Sequence, residues 1–286
     1  MSAAARPSAP NIIIFMPDEM RADSLACYGN PASRTPNFDR LAGEGARFAE
    51  CHVQFPVCGA SRCSMMTGWP ASVRGHRSLS YFLRPDEPNL FRYLKGAGYD
   101  VFWFGKNDLL AAQSFPDSVT RWTDRVGGYS AQSQLRPLDG EANTFLFGPM
   151  GDRRDTWDYG LLRLALEVLE RTQQDAPFCV FLPMSQPHPP YTAPADFYDL
   201  ISPDDVPDLA PPGLLGKPDF HAALRESYGL DRVPEATFRK IRAVYLGQVA
   251  FTDWLLGELM EAMERTGRAK DTALFVLSDH GDYAGD

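Results

Sequence analysis

The chain has 286 residues, 44% of them apolar, which suffices for one large α/β domain or two smaller ones. Its net charge of −9 at pH 7 argues against general nucleic-acid binding, so an anionic substrate would need a local cationic pocket. The five cysteines are irregularly spaced and form no CxxC pair, which argues against a disulfide framework and against structural zinc.

Residues 1–10 are rich in Ala, Pro and Ser and are predicted to form a flexible N-terminus. They lack the apolar stretch of a secretory signal, and the apolar run at residues 12–16 is too short to cross a membrane. We therefore expect a reduced, cytoplasmic protein without a membrane partner, with a removed leader as the open alternative.

Four apolar runs have the composition of strands that are buried on both faces of a parallel sheet. They cover residues 11–16, 99–104, 178–184 and 272–277. Helical patterns lie between them, at residues 36–45, where Thr35 is expected to cap the helix, and at residues 89–98, 155–174 and 234–267. This alternation predicts an α/β fold whose mostly parallel sheet has helices on both faces.

The remaining segments carry weaker signals. Residues 47–54 are predicted as a further strand that leads into a turn. Residues 110–155 are predicted as a loop or small subdomain, and residues 195–234 as an irregular excursion rich in Pro and Asp.

Polar side chains follow each of the four predicted strands, at the edge where open α/β sheets bind their ligands. In chain order they are Asp18 with Glu19, Lys106 with Asp108, His188, and the pair Asp279-His280. Adjacent Asp and His side chains on a sharp turn can converge on one divalent cation. Without further context, Asp18 fits a helix-capping loop equally well, and His188 also fits an ordinary surface loop.

Cys58 stands at the start of a predicted helix, in the sequence VCGASR at residues 57–62. A thiol at a helix N-terminus lies among unpaired N–H groups and the positive end of the helix dipole, which favours a thiolate or a bound anion. Arg62 adds donors that suit a tetrahedral oxyanion. Taken alone, these residues also fit a small structural cysteine beneath a helix, which is the commoner role of cysteine.

The sequence CGASRCSMMTG at residues 58–68 resembles the signature of the type I sulfatases, in which the cysteine is oxidised to formylglycine. Further similarity lies in GK at residues 105–106, PHPP at residues 187–190 and SDHGDYAGD at residues 278–286. The chain departs from the family pattern at Ala60, where Pro is commoner, and at Asp108, where a His is expected. It also has Glu19 in place of a second Asp, which the choline-sulfatase and phosphonate-monoester-hydrolase branches lack as well.

The resemblance implies an alkaline-phosphatase-like fold, in which residues 11–286 form a sulfatase catalytic domain with its C-terminal part missing. It implies one divalent cation, with Ca²⁺ as the first choice and Mg²⁺ or Mn²⁺ as alternatives. Its implied ligands are Asp18, Cys58 in its modified form, Asp279 and His280. Glu19 as an additional ligand is the less favoured interpretation.

The implied reaction is hydrolysis of a sulfate monoester, with the hydrated formylglycine from Cys58 as the nucleophile. Arg62 and Lys106 would stabilise the nucleophile and the sulfuryl oxygens, and His188 would contact the ester oxygen. His76, in the loop that follows the helix, is a further candidate near the nucleophile. The implied partners are a small-molecule or sugar sulfate ester and a maturase that generates formylglycine.

Two other functions stay open. One is hydrolysis of phosphonate monoesters or phosphodiesters at the same site. The other is a non-catalytic module in which Cys58 is unmodified and the site only binds a metal ion or an anion. We expect no nucleic-acid partner, and a homo-oligomer is an alternative because the sheet edge beside residues 272–277 lacks an expected cover.

Overall fold

The computed structural model describes residues 9–124, 136–137, 146–171 and 176–286 of the chain. Its strands are β1 (Asn11–Met16), β2 (Asp100–Phe104), β3 (Arg121–Thr123), β4 (Arg136–Pro137), β5 (Leu146–Phe147), β6 (Phe178–Pro183) and β7 (Thr272–Val276). Its α-helices are α1 (Pro36–Glu44), α2 (Cys58–Thr67), α3 (Leu90–Gly96), α4 (Phe115–Ser118), α5 (Trp157–Glu170), α6 (Ala195–Tyr198), α7 (Asp219–Ser227) and α8 (Glu235–Arg265).

Five strands form one parallel sheet in the order β3-β2-β6-β1-β7, which confirms the predicted sheet. β1 lies inside it, with Ile13 opposite Val180 of β6 on one side and opposite Leu274 of β7 on the other. β1 and β6 are apolar at almost every position because both of their faces are covered. A separate antiparallel pair joins β4 and β5.

Helices cover both faces of the sheet, and the alternation of side chains along each strand divides the core into two parts. Ile13 and Phe15 of β1 belong to the core formed with α5 and α8. Ile14 and Met16 belong to the core formed with α2, α3 and α4. This arrangement confirms the expectation of helices on both faces.

The start of α1 is held by a side chain from α8. Asp253 Oδ1 accepts hydrogen bonds from the backbone N–H groups of Asn37 and Phe38 at 2.9 and 2.8 Å, and Asn37 Nδ2 donates to Oδ2 at 2.8 Å. Thr35 makes no capping bond with its side chain, so the expected local cap is wrong. Burial raises the pKa of Asp253 from 3.8 to about 6.

Two predictions from the weaker segments need correction. Residues 47–54 do not form a strand but an exposed loop, and the five-stranded sheet contains no strand from this segment. The excursion at residues 195–234 is not wholly irregular, since α6 and α7 lie within it. Of the predicted loop at 110–155, residues 125–135 and 138–145 lie outside the described part, as do residues 1–8 of the predicted flexible terminus.

The four strands β2, β6, β1 and β7 are neighbours, so the loops that follow them meet at one edge of the sheet. These loops carry all the polar side chains that the sequence analysis predicted to follow the four strands. Within the described ranges, no helix is both long and apolar enough to span a bilayer.

Candidate active site

Cys58 is the first residue of α2 and is buried at the edge where the strand-end loops meet. Its Sγ lies 3.2 Å from His280 Nε2 and 4.0 Å from Glu19 Oε1. The expected thiolate is wrong for this environment. Burial, followed by the repulsion of the Asp18 carboxylate, raises the pKa of the Cys58 thiol and outweighs the helix terminus.

Arg62 lies one turn further along α2 and is completely buried between two carboxylates. Its Nε donates to Asp279 Oδ2 at 2.8 Å, and its Nη2 lies 3.2 Å from Asp18 Oδ1. A single guanidinium therefore compensates the charges that follow β1 and β7, although its Nη2 makes no hydrogen bond with any described residue.

Lys106 follows β2 and lies between two further carboxylates. Its Nζ lies 2.5 Å from Asp18 Oδ2 and 3.0 Å from Asp108 Oδ2. Gly105 lets the backbone after β2 pass close to the end of β6, since a Cβ at its φ of 147° would lie 2.1 Å from the Pro183 carbonyl oxygen. Asp108, at the position where the family pattern has His, thus pairs with the lysine.

The two central carboxylates differ in their affinity for protons. Burial, together with repulsion from Asp279, raises the pKa of Asp18. Burial also opposes the charge of Asp279, but Arg62 and His280 outweigh it and lower the pKa of this carboxyl group. The ionised form is therefore better stabilised at Asp279 than at Asp18.

The predicted metal ligands converge. Asp18, Cys58, Asp279 and His280 are all buried, and one ligand atom from each lies within 4.8 Å of all the others. Asp18 Oδ1 accepts no hydrogen bond from any described residue, which is unusual for a buried carboxylate oxygen. Two carboxylates and an imidazole suit a divalent cation, so the residues present fit the ion that the sequence implies.

The Glu19 carboxylate lies between two histidine side chains of the site. Its Oε1 is 3.5 Å from His188 Nε2 and 3.6 Å from His280 Nε2. One ligand atom from each of Glu19, Cys58 and His188 lies within 4.8 Å of the other two. The chain therefore holds a second group of ligand atoms that shares Cys58 with the first.

The backbone of Glu19 adopts an unusual conformation to reach this position. Its φ is 62°, a left-handed value that costs a non-glycine residue about 1–3 kcal/mol. Asp279 Oδ1 accepts from the Glu19 N–H at 3.1 Å and Tyr245 Oη donates to its carbonyl at 2.7 Å, which holds the turn. Burial, followed by the nearby Asp282 and Asp18 carboxylates, raises the pKa of Glu19 to about 8.

Side chains of α5 and α8 hold the loop that carries His188. The buried carboxylate of Asp158 accepts hydrogen bonds from the Ser185 N–H, the Ser185 hydroxyl and the Gln186 N–H, each at 2.9 Å. Gln248 Nε2 donates to Gln186 Oε1 at 3.0 Å. These contacts fix the loop while leaving the His188 ring partly exposed at the mouth of the site.

His76 makes contacts of a different kind. Its Nδ1 lies 2.7 Å from the Tyr81 carbonyl oxygen and its Nε2 lies 2.9 Å from Glu87 Oε1. Both ring nitrogens are thus engaged within its own loop, and no contact found among the described residues links the ring to Cys58. A catalytic role for His76 stays a prediction.

The sequence analysis missed three residues that support the site. Ser61 Oγ donates to the Asp279 carbonyl oxygen, while Asp158 and Tyr245 hold the loops after β6 and β1. The position of Asp158 in the first turn of an amphipathic helix is a weak signal, because acidic residues are common there.

Comparison with known proteins decides the family. The sulfatase family model matches residues 10–286. The chain belongs to the sulfatase family. It is 24% identical to an arylsulfatase of Clostridium perfringens over 97% of this chain and 64% of that protein. It is 28% identical to human iduronate 2-sulfatase over 98% of this chain and 56% of that protein.

Solved structures share the fold of this sulfatase chain. The phosphonate monoester hydrolase of Agrobacterium radiobacter superposes with a TM-score of 0.78 at 21% identity, over 97% of this chain and 64% of that one. A Bacteroides thetaiotaomicron protein described as a putative sulfatase gives 0.72 at 17% identity, over 97% and 60%. These likenesses confirm the alkaline-phosphatase-like fold, and the chain spans about 60% of the length of the proteins it matches.

Proposed function

We propose that this chain carries the active site of a sulfuric ester hydrolase, which cleaves a sulfate monoester through a formylglycine formed from Cys58. The observation that carries the proposal is the buried convergence of Asp18, Cys58, Asp279 and His280 at one edge of the sheet. Membership of the sulfatase family supports the reaction class.

One divalent cation is proposed to be held by these four residues. When bound, it would polarise the oxygens of residue 58 and of the ester and offset the negative charge that develops during transfer. Ca²⁺ is the proposed ion because carboxylate oxygens dominate the ligand set, with Mg²⁺ and Mn²⁺ as alternatives. As a formylglycine hydrate, residue 58 has two hydroxyl groups, one for attack and one for release of sulfate.

The two cations have different tasks in this proposal. Arg62 is completely buried and its donors face Asp18 and Asp279, so it orients the carboxylates. Lys106 keeps 27% of its side chain exposed and lies between Asp18 and Asp108, so its ammonium group can reach a sulfuryl oxygen. Lys106 therefore supplies the positive charge to the substrate, while Arg62 acts through the protein groups around it.

His188 is proposed to handle the proton of the leaving alcohol. Its Nδ1 contacts the Pro189 carbonyl oxygen, which accepts only, so Nδ1 carries hydrogen and Nε2 is the nitrogen that can take up or release a proton. Nε2 faces the mouth of the site beside Glu19. A proton on Nε2 would be within reach of an ester oxygen that enters from solvent.

The proposed substrate is a small-molecule or sugar sulfate ester. The names of two relatives, choline-sulfatase of Rhizobium meliloti and iduronate 2-sulfatase, support this class. A maturase that oxidises Cys58 is the further proposed partner, and the proposed location is the cytoplasm.

Peptide mass spectrometry on protein produced with its maturation system tests the proposal, combined with hydrazide trapping of aldehydes and turnover of an aryl sulfate. We expect formylglycine at residue 58 and unmodified thiols at Cys51, Cys63 and Cys179. Cys58→Ala should abolish turnover, whereas Cys51→Ala, on an exposed loop, should retain it. An intact Cys58 thiol in fully active protein would refute the mechanism and leave the unmodified, ion-binding module.

A second candidate is hydrolysis of phosphonate monoesters or phosphodiesters at the same site. Glu19, in place of the second Asp of many sulfatases, favours it, together with the Asp279-His280 pair. Comparing kcat/KM for matched sulfate and phosphonate esters of one alcohol distinguishes the two. A higher value for the phosphonate would replace the first proposal with the second.

A further inference from the structure

We propose that His76 is a positioning residue that holds the loop at residues 76–83 against the first turn of α2. It does so through contacts with Tyr81 and Glu87, and the loop in turn fixes the orientation of Cys58. The effect on turnover rests on the proposed function, whereas the position of the loop can be measured without turnover. His76 thus acts through the backbone around Cys58 and not through contact with the ester.

The His76 ring closes the loop on itself and ties it to the segment that leads into α3. Its Nδ1 lies 2.7 Å from the carbonyl oxygen of Tyr81, five residues further along the chain, and its Nε2 lies 2.9 Å from Glu87 Oε1. The side chains of His76 and Glu87 are only 5% and 0% exposed. Removal of one partner from such a buried pair is costly, so the pair holds the loop in one position.

Glu87 and the end of the loop are themselves fixed by backbone hydrogen bonds. Glu87 Oε2 accepts from the Arg84 N–H at 2.7 Å, and the Glu87 N–H donates to the Arg84 carbonyl oxygen at 3.0 Å. The Leu83 N–H donates to the Leu109 carbonyl oxygen at 2.8 Å, and the Leu83 carbonyl oxygen accepts from the Ala111 N–H at 2.9 Å. The loop is therefore anchored to the segment that follows β2, and His76 determines where its other end lies.

The loop lies directly against the residue that follows Cys58. A Cβ on Gly59 would lie 2.7 Å from the Ser78 carbonyl oxygen and 3.5 Å from the Leu79 Cα, so only glycine leaves room for the backbone of the loop. His76 itself borders a narrow space together with Cys63, one turn further along α2. Since Ser78 and Leu79 are exposed, the loop lies between solvent and the first turn of this helix.

The turn that carries Cys58 depends on this contact because the start of its own helix is weakly capped. Val57, the N-cap of α2, makes no capping hydrogen bond with its side chain. Further support comes from Ser61, whose hydroxyl donates to the Asp279 carbonyl oxygen. A reacting group that is displaced by about 1 Å can lose about 100-fold in rate. Release of the 76–83 loop should therefore slow attack by residue 58 more than it weakens binding of the ester.

Alkylation of the protein with iodoacetamide, followed by peptide mass spectrometry, measures the position of the loop. Glu87→Ala should raise the alkylation rate of Cys63 at least about tenfold, because local opening exposes the space beside His76. Cys179, buried in β6, should stay protected, which excludes global unfolding. His76→Asn should give the same pattern and decides the point if Glu87→Ala unfolds. Equal Cys63 rates in the folded variants and in wild type would overturn the proposal.

Turnover of an aryl sulfate, normalised to the formylglycine content of each variant, measures the effect on residue 58. Glu87→Ala should lower kcat at least about tenfold while KM changes by less than about twofold. Glu87→Gln should recover most of kcat, because its amide oxygen can accept from the Arg84 N–H while its NH₂ group donates to Nε2 of a neutral His76 ring. Glu87→Gln no more active than Glu87→Ala, or a raised KM at constant kcat, would overturn the positioning role.

Asp86→Ala is the matched control for both measurements. Asp86 is the exposed neighbour of Glu87 in the chain and pairs with Arg74 at 3.9 Å. This variant should keep the wild-type kcat and the wild-type alkylation rate of Cys63. A wild type that cleaves no ester would contradict the proposed function, and the alkylation rates would still decide the position of the loop.

Discussion

Arg62 Nε donates a hydrogen bond to Asp279 Oδ2 at 2.8 Å, and both side chains are completely shielded from solvent. The same guanidinium lies 3.2 Å from Asp18 Oδ1, so one positive charge compensates two buried carboxylates. A buried pair of this kind is costly to break, because removal of one partner leaves an uncompensated charge in a medium of low dielectric constant.

Arg62→Ala should therefore destabilise the cation-free protein by about 3–5 kcal/mol, measured by urea unfolding. Saturating Ca²⁺ should recover part of this loss, since the ion would supply positive charge to the same carboxylates. Arg40→Ala, which removes exposed ion pairs with Glu44 and Glu264, should have little effect. Equal stability of wild type and Arg62→Ala would contradict the role of this guanidinium.

Substitution of the two carboxylates should remove the hard-cation site. We expect Asp18→Asn with Asp279→Asn to raise the dissociation constant for Ca²⁺ by at least about 100-fold, a larger effect than loss of a supporting contact. Isothermal titration calorimetry measures this change. Asp23→Asn, an exposed acidic residue paired with Arg21, is the matched control and should bind Ca²⁺ as wild type does.

Asp158 should position the loop that carries His188. Asp158→Ala leaves the donors of Ser185 and Gln186 unsatisfied, which should cost about 1–3 kcal/mol per unsatisfied buried group. With an aryl sulfate, we expect kcat to fall more than 1/KM, because the loop holds a proton donor in place. Glu167→Ala, on the exposed face of α5, should change neither stability nor kcat.

The sequence predicted the sheet, the strand ends and the convergence of the candidate metal ligands, because buried parallel strands have a distinctive composition and their loops meet at one edge. The sequence did not predict the contacts between elements that are far apart in the chain. The cap of α1 comes from Asp253, 216 positions away from Asn37, and Thr35 was the only local candidate. The raised pKa of the Cys58 thiol likewise comes from burial and from the Asp18 carboxylate in the loop after β1, whereas the helix terminus was visible locally.

Asp253 should make stability depend on pH. Its pKa is raised from 3.8 to about 6, so the folded state binds a proton more tightly than the unfolded state does. This contribution is fully present below about pH 4 and is lost as the pH rises through 6. Between pH 4 and pH 7, wild type should lose up to about 3 kcal/mol relative to Asp253→Asn.

Urea unfolding of both proteins across that pH range measures the difference for Asp253. Asp253→Asn also loses the bond from Asn37 Nδ2, which adds an offset that does not vary with pH. Glu261→Gln, an exposed substitution on the same helix, controls for the loss of one negative charge. A pH-independent difference between wild type and Asp253→Asn would contradict the prediction.

The β7 edge should promote self-association of this chain. β7 pairs with β1 on one side, and the described residues place no strand on its other side. Phe275 is 52% exposed on this strand, and an exposed edge with an apolar side chain invites pairing with another copy. Phe275→Lys should lower the fraction of dimers and larger species in sedimentation velocity, whereas Leu215→Lys, in an exposed loop, should not.

The long sequence separation between Cys58 and the loop after β7 affects how the protein is made. Cys58 and His280, whose side chains are in contact, are separated by 222 residues. At synthesis rates of roughly 5–20 residues per second, the ribosome takes roughly 10–45 s to cover that distance. Throughout this interval the Cys58 turn exists without the β7 loop that covers it. An enzyme that modifies the nascent chain therefore has a long period of access to the thiol, and this access ends when β7 pairs with β1.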